Sequence, residues 1–148
     1  MTLLETLQEA VKGAMRSGDA LTRDTLRMVI AALKNRELEL GKGLDPAEEA
    51  SVLAKAVKTR EESVEQFGTA GRADLVERER QEIAVLQRYL PKQLSETEAR
   101  EVVRATIERL EAKSKGDLGK VMKTVMAEQR GKIDGKLVQR LVQEFLGS

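Results

Sequence analysis

Histidine and cysteine do not occur in this 148-residue sequence, and three aromatic side chains, Phe67, Tyr89 and Phe145, are the whole aromatic set. The first absence removes the imidazole base, the thiolate nucleophile and the usual zinc ligands. The second removes disulfides, which fits the cytosol and leads us to expect a cytoplasmic protein. The third means that the core must be built from Leu, Val, Ile, Ala and Met, as in helix bundles. No apolar run approaches the ~18 residues of a membrane span, so no membrane partner is expected. The opening "MTLLETLQEAVKG" carries acids and lacks the basic leader of a secretory signal. Neither G-x-x-x-x-G-K-[ST] nor G-x-G-x-x-G is present, so the common phosphate-cradling loops are missing. No catalytic residue, cofactor or metal is expected.

Charged residues make up 34% of the chain and apolar ones 41%, which suits a helical protein. Every long segment reads with helical period and none as a strand. Thr2-x-x-Glu5 is a capping box opening a helix with Leu3, Leu7, Val11 and Ala14 on its apolar face. A second helix near 20–40 holds the run "MVIAAL" and is taken as the central one, covered on several sides. Asp45-Pro46-x-Glu48 starts a third, which runs to about Phe67. A fourth follows "GTAGR" and is expected to end before Pro91. The third and fourth form an αα-hairpin, with Val57, Val64 and Phe67 facing Leu75, Ile83 and Leu86.

Pro91 and the capping box Ser95-x-x-Glu98 mark a boundary. They divide an N-terminal helical domain, 1–90, from a C-terminal module of three helices, 91–148. The second part holds helices near 96–112, 118–129 and 135–146. Gly116 and Gly131 are read as C-caps, Asp117 and Asp134 as N-caps. The fold class is therefore all-α: a helical region with an αα-hairpin, then a three-helix module. Charge changes at the boundary too, with 14 bases and 16 acids before Pro91 but 12 and 9 from it onward.

The excess is concentrated. Between 113 and 140 there are eight bases and three acids. Lys120, Lys123 and Arg130 fall opposite the apolar side formed by Leu118, Val121, Met122, Val125 and Met126. Lys132 lies in the connection. Lys136 and Arg140 line the outside of the last helix, while Leu137, Val138, Leu141, Val142 and Phe145 point inward. Any amphipathic helix has a charged outer face, but the rest of the chain mixes both signs and this stretch does not. A basic face on a compact helical unit is the footprint of phosphate-backbone binding. Arg23, Arg27 and Lys34 read either as a weaker second ridge or as the exposed edge of a buried helix.

"LRMVIAALKNRELE", "YLPKQLSETE" and above all "GKVMKTVMAEQRGKIDGKLVQRLVQEFL" resemble the GatB/YqeY family, and in particular its free-standing YqeY-like members, over essentially the whole chain. The related module is the C-terminal tail of the B subunit of the glutamine-dependent aspartyl/glutamyl-tRNA amidotransferase. There the tail contacts tRNA, while amide transfer belongs to a separate, larger domain with no counterpart in this sequence. The resemblance points to Lys120, Lys132, Asp134, Gly135 and Lys136. Gly131 and Gly135 match it too, and are also read as residues that permit tight turns. The implied function is non-catalytic tRNA binding. One alternative is an interaction module of the translation apparatus, with an aminoacyl-tRNA enzyme or the ribosome as partner. The other is a carbon–nitrogen ligase with glutamine as amido donor, which rests on the family label alone.

Overall fold

A computed structural model describes residues 1–147. They form seven α-helices and no strand: α1 (Leu3–Ser17), α2 (Ala20–Leu40), α3 (Pro46–Thr69), α4 (Ala73–Gln87), α5 (Glu96–Leu110), α6 (Leu118–Glu128) and α7 (Gly135–Leu146). A short 3-10 turn, Lys115–Asp117, leads into α6. The chain divides into two compact units between Pro91 and Lys92. No helix among the described residues is long and apolar enough to cross a membrane.

The helix starts are made by side chains. Thr2 and Glu5 close a capping box on α1, and Ser95 and Glu98 close one on α5. The Asp19 carboxylate accepts the Thr22 amide at 3.1 Å, and that of Asp45 accepts the Glu48 amide at 2.7 Å. Each bond satisfies an amide that has no partner within its own helix. The end of α5 differs from expectation. Glu111, at φ 54°, takes the left-handed position, and Gly116 lies in the 3-10 turn instead. The Ala112 amide then reaches back to the Ile107 carbonyl at 3.0 Å, and Ala112 packs on the core. That closing contact offsets the strain of a non-glycine residue there.

In the first unit, α2 packs against α1, α3 and α4. Leu26, Val29 and Leu33 of α2 meet Leu7 and Val11 of α1, Leu53 and Val57 of α3, and Val85 and Leu86 of α4. Coverage of α2 is less complete than the run "MVIAAL" implies, since Met28 is 61% and Leu38 81% exposed. The hairpin is present, but its apolar side is uneven. Val57 and Leu86 are fully buried, whereas no residue from 61 to 84 is. The far half of α3 and α4 is thus a thinly packed two-helix arm, whose Asp74, Glu77, Arg78 and Gln81 share a shallow pocket with Ala20, Leu21 and Asp24 of α2. Helix α4 ends before Pro91, as expected. Arg88 and Tyr89 bond three residues back, to Val85 and Leu86, and the chain leaves the helix because Leu90 precedes a proline.

The second unit has its own core: Ala99 and Val103 of α5, Val121 and Val125 of α6, Ile133, and Val138, Leu141 and Val142 of α7. Met122 and Met126 pack against it, as the helical spacing implies. Phe145 does not. It sits in the last turn of α7 and is 41% exposed, while the next residue, Leu146, packs on the core.

Residues 92–148 expressed alone should show helical circular dichroism and melt cooperatively. Leu141→Ala, which empties a fully buried position, should lower its stability by about 2–5 kcal/mol. A fragment without a cooperative transition would mean that it needs the rest of the chain to fold.

Candidate nucleic-acid interface

The face of α6 turned from the core carries Gly119, Lys120, Lys123 and Ala127, all exposed. Packing does not require the glycine, since a Cβ there would meet nothing within 4 Å. Gly119 before the two lysines and Ala127 after them leave backbone little covered on this face, so a phosphate can come close.

After α6 the chain alternates. Gly131 and Ile133 are buried; Arg130, Lys132 and Asp134 are exposed. Two hydrogen bonds fix this turn. Gln93 Nε2 donates to the Gly131 carbonyl at 2.6 Å, and the Leu94 amide donates to the Lys132 carbonyl at 2.9 Å. With Ile133 seated in the core, Arg130 and Lys132 are held at the surface. Gly131 has φ 79° and is buried, so it carries the backbone demand that the sequence reading shared with Gly135. Gly135 is the first residue of α7 and has no positive φ. A Cβ there would make ordinary contact with Met126 Cε at 3.7 Å.

The two aspartates stand at the expected N-cap positions, but neither caps its helix with its side chain. The Asp117 carboxylate turns back to accept the Lys113 amide at 3.0 Å and the Ser114 amide at 3.4 Å. Those bonds, the Lys113 one foremost, hold its carboxyl below the usual range.

Lys136 is exposed on the first turn of α7, and Arg140 follows one turn later. Arg140 is not a free cation. Its guanidinium pairs with Glu96 and, at 3.2 Å, with Glu144, which also holds Arg100 at 2.7 Å. The hydrogen bond to Glu96 raises the Arg140 pKa and lowers that of Glu96. Arg109 likewise takes Glu128 at 2.8 Å, tying α5 to α6. Lys120, Lys123, Lys132 and Lys136 enter no ion pair among the described residues. Of the cations that the sequence singles out, the four lysines on α6, in the turn and at the start of α7 thus remain outside ion pairs. Pairing of Arg140 with Glu96 was not legible from the sequence, because 44 residues separate the two.

The class is an all-α protein of two compact units with a lysine-rich surface on the second. Residues 4–146 match the model of the Yqey-like protein family, and the chain belongs to that family. Among its relatives is "Altered inheritance of mitochondria protein 41, mitochondrial" of Pyrenophora tritici-repentis, 33% identical over 99% of this chain and 82% of that protein. The proteins of the same name in Lachancea thermotolerans and Kluyveromyces lactis are each 36% identical. Those matches cover 57% and 58% of this chain but only 46% and 47% of the relatives, about half their length. The cytoplasmic expectation is corrected by these relatives, whose names place them in mitochondria. A chain without cysteine is indifferent to redox poise, so its composition carries no address.

Gly131→Ala should destabilise the protein by about 1–2 kcal/mol, the cost of a left-handed backbone with a Cβ. Gly135→Ala should be near neutral. Thermal melts of the two variants check this, and equal losses would contradict the division of roles drawn above.

Proposed function

We propose that this protein binds tRNA without catalysing a reaction on it, through the lysines of α6, of the following turn and of the start of α7. The observation that supports this reading is the sorting of charge in the second unit. Arg100, Arg104, Arg109 and Arg140 are held by glutamates, while Lys120, Lys123, Lys132 and Lys136 are exposed and unpaired among the described residues. An ammonium on a flexible stem suits a phosphate backbone that must be followed rather than read base by base. With so few aromatic side chains, base stacking contributes little, and recognition rests on backbone and shape. The resemblance to the amidotransferase tail supplies the choice of tRNA among phosphate polymers.

Such binding weakens steeply with salt, each neutralised phosphate adding about −0.7 to −0.9 to the slope of log affinity against log salt. Changing Lys120, Lys123 and Lys136 together to glutamine should flatten that slope by roughly 2 to 3 units and leave the fold intact. Arg140→Gln should change it far less, because its partners are already within the protein. The matched control is Lys34, Lys42 and Lys55 to glutamine in the first unit. Arg60 is unsuitable for it, being only 8% exposed. Equal loss from both triple variants would reduce the reading to diffuse charge attraction. No loss from the first would favour a protein partner. Glutamine-dependent amidation of Glu-tRNA by the pure chain would overturn the non-catalytic part.

A further inference from the structure

Helices α2 and α3 leave a groove of ≈ 510 Å³ between them in the first unit, far in sequence from the lysine face. Its apolar walls are Met28, Val29 and Ala32 on α2, and Val52 and Ala56 on α3. Arg60 lies at the Met28 end. An arginine so deeply buried needs its five N–H groups satisfied, and this one falls short. Nη1 donates to the Ala56 carbonyl at 3.0 Å. Nη2 meets the Met28 sulfur at 3.7 Å and Glu82 Oε1 at 3.7 Å. Nε is buried and has no hydrogen-bond partner. A thioether is a weak acceptor, and an ionic N–H···O bond runs to about 2.7–2.9 Å, so Glu82 sits too far away for one. The Nε–Nη2 edge, the fork on which a guanidinium takes a carboxylate through two parallel bonds, therefore lacks one strong acceptor.

We propose that this groove binds small carboxylic acids with an apolar body. The carboxylate takes the Nε–Nη2 edge of Arg60, and the hydrocarbon lies along Ala32, Val52 and Ala56. Met28 is the flap. It is 61% exposed, touches Nη2 and is unbranched, so its side chain swings aside at little cost. Arg60 and Val52 are eight residues apart on α3, about 12 Å of helix, which matches a chain of roughly eight carbons. The cations at the groove differ in how they are engaged. Arg36, at the far end, is engaged by Glu39 at 2.9 Å and Glu48 at 3.3 Å, whereas Lys55 on the wall enters no ion pair among the described residues. Glu82, held near Thr25 Oγ1 at 3.5 Å, is the internal competitor for Arg60, and Glu79 stands beside it.

The test is a titration of the isotope-labelled full chain with sodium octanoate at constant ionic strength, followed by NMR. Saturable shifts should appear at the Arg60 Nε–H and the Met28 methyl group. Octanol, which keeps the body and loses the charge, should bind about tenfold more weakly, and Arg60→Lys should weaken octanoate by a similar factor. Glu82→Gln removes the competitor and should tighten octanoate. Equal binding of octanol, or shifts confined to the lysines of the second unit, would overturn the proposal. Should Arg60→Lys fail to fold, Glu82→Gln decides alone: a folded variant with unchanged octanoate affinity sinks the idea.

Discussion

The turn between α6 and α7 is held by two hydrogen bonds from one short extended segment, Gln93 to Gly131 and Leu94 to Lys132. The arrangement of the second unit depends on them. They bring the residues just before α5 against the far end of α6, so the first and last thirds of a 57-residue unit close on the same turn. With the carbonyls of 131 and 132 occupied, Ile133 enters the core and the basic neighbours are left outside. A small aliphatic core with no aromatic residue in its buried set gains from this kind of fixed point. Hydrocarbon burial is non-directional and would tolerate several registers of that turn, whereas the hydrogen bonds accept one.

The unit also divides its cations by chemistry. Its paired arginines face glutamates on neighbouring turns or helices, as planar forks do well. Exposed pairs of this sort add little stability each, but they cancel charge. Arg140 shows the effect: counted by sequence it belongs to the basic face, yet Glu96 and Glu144 absorb it. What survives is a surface of lysines, whose reach and rotational freedom suit an uneven anionic partner. The first unit spends an arginine differently. Arg60 is sunk among α2, α3 and α4 with a distant carboxylate and one nitrogen unsatisfied, an arrangement that costs stability unless something else uses it.

Periodicity and capping signals made most of the architecture readable. The boxes at Thr2 and Ser95 and the Asp45-Pro46 start appear where the residues place them, because such signals act within four positions. The central role of α2 followed from its apolar run. Features set by distant neighbours were not legible. The left-handed Glu111 in place of Gly116 depends on where Ala112 can pack. Arg60 reads as one more charge in "KTREESVEQ", and only the approach of α4 shows that its face is covered. For the lysines, helical angle alone identified the exposed side, since Lys120 and Lys123 lie opposite Val121 and Val125 whatever α6 packs against.

The arm formed by the far half of α3 and α4 has no fully buried residue between 61 and 84. Its two helices are held to each other by a narrow half-buried seam including Val64, Phe67, Leu75 and Ile83. Such a seam is a repeating unit, not a keystone. About seven residues, two helical turns, added to each helix together at the connecting turn would keep the same sides facing and leave every core residue in place. Length is therefore a free variable here. The span of this arm is open to change over evolutionary time, or to a designer, in a protein whose other dimensions are tied to its two cores.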